Sequence, residues 1–110
     1  EKLINKKIIN LVKTINSDDM INLYTLELVS DKKIETVAKD SEGNSSIFRS
    51  TINVRLVLRD GKKIIKNKIF ISSFSYNNIR NKFDLFQYQK NVEDNLINKI
   101  GDEILIFLSS

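Results

Sequence analysis

The sequence contains no cysteine, histidine, proline or tryptophan. Without cysteine it forms no disulfide and offers no thiolate. Without histidine it cannot build a Ser-His-Asp or Cys-His centre. A zinc site would have to be made from carboxylates alone, outside the usual nitrogen and sulfur donor sets. The three glycines, Gly43, Gly61 and Gly101, lie too far apart for either phosphate-binding glycine motif. No apolar run approaches the roughly 20 residues a membrane-spanning helix needs. Carboxylate pairs such as Asp18-Asp19 and Asp102-Glu103 remain. They read as a turn and the wet face of a helix, so no enzyme, metal or cofactor is expected.

The 110 residues fit one domain, residues 1–110. A chain of this size buries about 65% of the surface exposed by its unfolded form, enough for one modest core. Hydrophobic residues make up 41% and charged residues 29%, as in ordinary globular proteins. The net charge is +4 and the pI about 9.3. That balance mildly favours acidic partners: nucleic acid, anionic lipid or an acidic protein face.

Three blocks divide the chain. In Glu1–Asn16, Leu3, Ile4, Ile8, Leu11, Val12 and Ile15 recur at helical spacing with Lys6, Lys7, Asn10 and Lys13 between them. This predicts an amphipathic helix, broken by Ser17-Asp18-Asp19. The block from Ile21 to Tyr76 reads as strands. Tyr24, Leu26 and Leu28 alternate with Thr25 and Glu27, and Ser30 to Lys33 reads as a bend or short turn. An extended pattern resumes over Ile34 to Lys39, and Ser41 to Ser45 is the strongest loop signal. Phe48, Ile52, Val54, Leu56 and Leu58 then face one way, with Arg49, Thr51, Asn53, Arg55 and Arg59 facing the other. Asp60-Gly61 predicts a hairpin turn. The returning strand carries Ile65, Ile69 and Ile71 on one face and Ile64, Phe70, Phe74 and Tyr76 on the other. Which face is inner stays open.

The third block, Lys82 to Leu108, steps by three and four through Leu85, Tyr88, Val92, Leu96, Ile100, Ile104 and Phe107. This predicts one long helix. Asn81 stands at its N-cap, with Asp84 three residues on as a weaker capping box. Gly101 costs about 1 kcal/mol relative to Ala inside a helix, which points to close packing on the sheet. The economical arrangement is an α+β two-layer sandwich of order α-β-β-β-α. Its two helices pack on one face of a small, mainly antiparallel sheet.

Two uses of the positive charge can be weighed. Arg49, Arg55 and Arg59 could share a sheet face, with Lys62, Lys63, Lys66 and Lys68 across the turn, and basic groups along a sheet can track phosphates. The aromatics Phe70, Phe74 and Tyr76 are not interleaved on the arginine-bearing strand, and no RNP-like motif appears. A module that binds an anionic amphiphile would use the same residues, with apolar rims for acyl chains.

The run from Ile52 to Ser110 resembles the C-terminal half of the LptE family, the lipopolysaccharide-assembly lipoproteins also called rare lipoprotein B. An alternating strand ends in an aspartate-containing hairpin, and the next strand ends in the signature Ser75-Tyr76-Asn77. Asn81 and Phe83 follow, then a long helix with the acidic pair Glu93-Asp94 and an Ile104–Leu108 end. Upstream, the stretch from Leu23 to Val54 is similar to the family's strand, loop and following strand, and Leu3 to Ile15 looks like its first helix. The resemblance implies a non-catalytic domain of the outer-membrane lipopolysaccharide export machinery. Such a domain plugs and helps assemble the LptD β-barrel, binds lipopolysaccharide, and sits on the periplasmic side of the outer membrane. It also implies a lipid anchor on a cysteine and a short first strand, both expected upstream of Glu1, and no nucleic-acid partner. Family alignment puts lipopolysaccharide-binding basic residues near Lys39, in the loop between the middle strands. It puts others near the start of the last helix, where Tyr88 occupies the family position and Lys82 and Lys90 stand nearby. Charge-assisted contact with lipid A phosphates is their implied role. The competing expectation is a basic α+β module for nucleic acid or an acidic protein.

Overall fold

The structure, a computed structural model, describes residues 2–15 and 25–109. Helix α1 (Lys2–Ile15) is followed by strands β1 (Thr25–Lys39), β2 (Ser45–Asp60) and β3 (Lys63–Asn77), then helix α2 (Lys82–Ser109). The sheet is antiparallel throughout, in the order β1-β2-β3. Helix α1 packs on β1 and on α2, while α2 packs on β2 and β3. This is the α+β arrangement expected from the residue pattern. At roughly 3.4 Å per residue, a strand of this length spans about 50 Å, which accounts for the 55 Å long axis.

Alternation sorts the two faces of β2. Ile52, Val54, Leu56 and Leu58 are buried against the helices, joined by half-buried Phe48 and buried Ser50. Register then decides the face of β3. Phe70 lies opposite Val54, Ser72 opposite Ile52 and Tyr76 opposite Phe48, so all three point inward and are buried. Ile69 and Ile71 consequently face out and are exposed. Two residues expected beside Phe70 do not share its burial. Ile64 sits beyond a bulge, where Leu58 pairs with Lys66 and Arg59 with Ile64, and Phe74 lies at the uncovered rim. Both are exposed.

The largest correction concerns Ser30 to Lys33. No bend or turn occurs there, and β1 runs unbroken from Thr25 to Lys39. The segment is polar because a helix and the solvent receive it. Ser30 Oγ donates to Asn5 Oδ1 on α1 at 2.6 Å, and Lys32 Nζ reaches Glu93 on α2 at 3.0 Å. The break at Ser17-Asp18-Asp19 and the strand start at Ile21 to Tyr24 lie outside the described residues. In α1, Ile4 and Ile8 are buried whereas Leu3 is exposed, contrary to its place in the apolar set.

The β2–β3 hairpin closes on Gly61 and Lys62. Gly61 has a φ of 61°, the positive value a type II′ turn requires at its first central position. Helix α2 buries Val92, Leu96, Ile97, Ile100, Gly101, Ile104 and Leu108. Its acidic pair ties it to two neighbours: Glu93 meets Lys32 of β1, and Asp94 Oδ1 accepts from Lys7 of α1 at 3.0 Å.

Candidate functional site

One end of the molecule gathers the β1–β2 loop, the end of β3 and the start of α2. Asp40 organises the loop. Its Oδ1 accepts from the backbone N–H groups of Glu42 and Asn44, both at 2.9 Å. Its carbonyl accepts from Gly43 N–H at 3.1 Å. Gly43 completes the turn at a φ of 86°, where a side chain would be strained. Asn78 ties the end of β3 to this loop, its side-chain amide donating to Ser45 O and its backbone N–H to Ser46 O, both at 2.9 Å.

The helix start is fixed as expected. Asn81 Oδ1 accepts from Phe83 N–H at 2.9 Å and Asp84 N–H at 3.1 Å, so two of the helix's free donors are satisfied. Between loop and helix lies an open concavity of about 730 Å³, lined by Asp40, Glu42, Phe48, Arg80, Lys82 and Leu85 among others.

The three expected basic residues are not gathered equally. Lys82 lines this concavity. Lys39 is exposed at the last position of β1, beside the loop but not in the lining. Lys90 lies eight residues along α2 from Lys82, about 12 Å of helix rise away, and its ammonium sits 5.1 Å from the ring centroid of exposed Phe86. Tyr88 turns the other way and meets Tyr76 edge-on at 5.4 Å.

Arg80 is not among the basic residues expected from the sequence. It lines the concavity with Lys82, and its position in the Asn-rich connector ahead of the capping Asn81 was the available signal. Phe83 is also exposed, so this end of α2 offers cations beside bare aromatic rings. Among the described residues, none of Lys39, Arg80, Lys82 and Lys90 forms an ion pair. The lining is not uniformly positive, however. Asp40 is engaged by loop amides, but Glu42 contributes an opposing charge. The arrangement can hold an anion through Arg80 and Lys82 and seat apolar groups on Phe83 and Phe86. Among the described residues no cluster of three or more potential metal-ligating side chains occurs.

Two of the three sheet arginines are paired with carboxylates of β1. Arg59 Nε donates to Glu27 Oε1 at 2.9 Å, and Arg49 lies 3.6 Å from Glu35 Oε1. Lys66 donates to Phe107 O at 3.0 Å, and both Lys66 and Lys68 lie over the Phe107 ring. Arg49, Arg59, Lys66 and Lys68 thus have partners within the chain.

No protein-family model and no curated protein matches the chain. Among solved structures it is similar to rare lipoprotein B from Shewanella oneidensis, with a TM-score of 0.75 over 96% of this chain and 84% of that one, at 11% identity. It is also similar to a Caulobacter crescentus protein described as a lipoprotein, with a TM-score of 0.67 over 97% of this chain and 78% of that one, at 14% identity. At these identities the likeness is one of fold: the chain folds as rare lipoprotein B does.

Proposed function

We propose that this chain is an LptE-like, non-enzymatic component of outer-membrane lipopolysaccharide assembly. In this reading it occupies and helps assemble an LptD-like β-barrel on the periplasmic side of the outer membrane, and it binds lipopolysaccharide. The superposition on rare lipoprotein B over nearly the whole chain is the observation that carries the reading. Two features of the chain agree with it. The outward sheet face exposes the apolar side chains of Val29, Ile69 and Ile71, with Val29 and Ile69 on either side of Arg55. The tip formed by the β1–β2 loop and the start of α2 carries Arg80 and Lys82 beside exposed aromatic rings, chemistry suited to lipid A phosphates. Lys39 and Lys90 flank that tip.

Co-expression with the LptD-like barrel of the same genome tests the reading. The expected result is a stable one-to-one complex that survives purification in detergent. Recovery of the barrel without this chain, at equal expression, would refute it.

A further inference from the structure

A second concavity lies away from the tip, between β3 and the flank of α2. Its volume is about 380 Å³. Phe74, Val92 and Leu96 give it an apolar wall, Asn91 and Asn95 contribute carboxamides, and Lys99 contributes an ammonium. Three observations set this cleft apart from an ordinary surface furrow.

The first is Ser72, which lines the cleft. It is 4% exposed, and among the described residues its Oγ has no hydrogen-bond partner. A buried hydroxyl without a partner costs stability and calls for an explanation; rotation about χ1 would bring the enclosed Oγ to the cleft, where a ligand would supply the partner. The second is charge. Among the described residues, Lys99 is the one charged residue that lines the cleft, no carboxylate lines it, and Lys99 forms no ion pair. The third is size. A dry cavity of about 150 Å³ accepts benzene, so this one accommodates a body of roughly twice that bulk.

We propose that the cleft between β3 and α2 binds a small carboxylate with an aliphatic chain. The chain lies against Phe74, Val92 and Leu96, and the carboxylate meets Lys99 and the asparagine amides. Rotation of Ser72 about χ1 brings its Oγ to a polar atom near the head. The charge complementarity at Lys99 selects an anion over a neutral or cationic amphiphile. The proposal stands apart from the barrel-plug reading, because it uses neither the tip nor the outward sheet face.

Decanoate is the probe, titrated into the isolated chain and followed by amide NMR. The expected result is saturable movement of the resonances of Ser72 to Phe74, Asn91, Asn95 and Lys99, with the tip unchanged. Lys99→Gln should weaken binding about fivefold, and decanol should bind about tenfold more weakly than decanoate, the effects of losing a charge-assisted contact. Asn95→Trp, at an exposed lining position, should fill the cleft and abolish binding while the fold is retained. Absence of saturable shifts at millimolar decanoate would overturn the proposal. So would unchanged binding in folded Asn95→Trp, or shifts centred on the tip. Equal affinity for decanoate and decylamine would remove the carboxylate specificity and with it the proposal.

Discussion

Asn5 of α1 and Ser30 of β1 hold each other in place. Ser30 Oγ donates to Asn5 Oδ1 at 2.6 Å while Asn5 Nδ2 donates to Leu28 O at 3.0 Å. The pair fastens the first helix to the edge strand where the strand turns polar, and it fixes the height at which α1 crosses the sheet. Ser30→Ala should therefore cost about 1–3 kcal/mol, since it leaves the carboxamide oxygen of half-buried Asn5 without this donor. Urea denaturation provides the check. The paired variant with Asn5→Leu should recover part of the loss, because removing both partners is less costly than orphaning one.

Glu93 and Asp94 are adjacent in sequence and clamp different elements. Glu93 meets Lys32 with 20% of its side chain exposed, whereas Asp94 meets Lys7 with 54% exposed. Glu93→Gln is expected to cost up to about 1 kcal/mol and Asp94→Asn less than about 0.5 kcal/mol, since exposed pairs are screened by solvent. Double-mutant cycles with Lys32→Met and Lys7→Met measure the two couplings. A larger coupling for the Asp94 pair would contradict the ranking by exposure.

The elements were legible wherever one periodicity ruled. The 3.6-residue stripe of α2, the two-residue alternation of β2 and the Asp60-Gly61 hairpin signal each gave the right element. Ser30 to Lys33 was misread because a polar run on an edge strand looks like a turn until the helix and carboxylate that receive it are known. The face of β3 was not legible either. Both of its faces carry large apolar residues, and only register against β2 shows that Phe70 and Tyr76 are inward while Ile69 and Ile71 are bare. In the Ser75-Tyr76-Asn77 signature, Tyr76 is a core residue. Its hydroxyl lies 2.6 Å from Ser50 Oγ, and its ring packs near Phe48 and Tyr88. At the candidate site, Lys82 was expected from the sequence, whereas Arg80 had only its place in the Asn-rich connector as a signal and Glu42 had none. Their sharing of one concavity depends on Asn78 drawing the end of β3 onto the β1–β2 loop.

The core position of Val54 and Leu96 can be tested by charge. Val54 is fully buried and Leu96 is 6% exposed, in the sheet and helix layers of one cluster. An unpaired carboxylate at either site should cost about 4 kcal/mol or more, a large share of the typical 5–15 kcal/mol stability of a domain. Val54→Asp and Leu96→Asp should each abolish cooperative melting near the wild-type temperature. Thr51→Asp, on the opposite face of β2, serves as the control and should be tolerated.

Charge at the tip should control anion binding in both directions. Arg80 and Lys82 attract, and Glu42 opposes them across the same concavity. Arg80→Gln combined with Lys82→Gln should weaken lipopolysaccharide binding about tenfold, while Glu42→Gln should strengthen it by about threefold, in line with the modest worth of exposed charge pairs. Lys39→Asp with Lys90→Asp should have a smaller effect, because neither residue lines the concavity. Isothermal titration with purified lipopolysaccharide at two salt concentrations separates these outcomes, and a loss of affinity in Glu42→Gln would remove the tip from the binding site.

The outward sheet face offers the sharpest separation of stability from assembly. Ile69 and Ile71 are more than half exposed on β3, opposite Arg55 and Asn53 of β2, and among the described residues no helix covers them. Replacing them costs the isolated chain little, because surface substitutions away from special features usually stay within about 0.5 kcal/mol. In a barrel-bound chain the same residues would lose apolar burial worth about 1.5–3 kcal/mol each. The double variant Ile69→Glu with Ile71→Glu should therefore melt as the parent does and yet fail to co-purify with an LptD-like barrel. Retained co-purification would place the contact elsewhere. A melting temperature lowered by ten degrees or so would show that the face contributes to the fold itself, since about 1 kcal/mol shifts a domain of this size by only 4–8 °C.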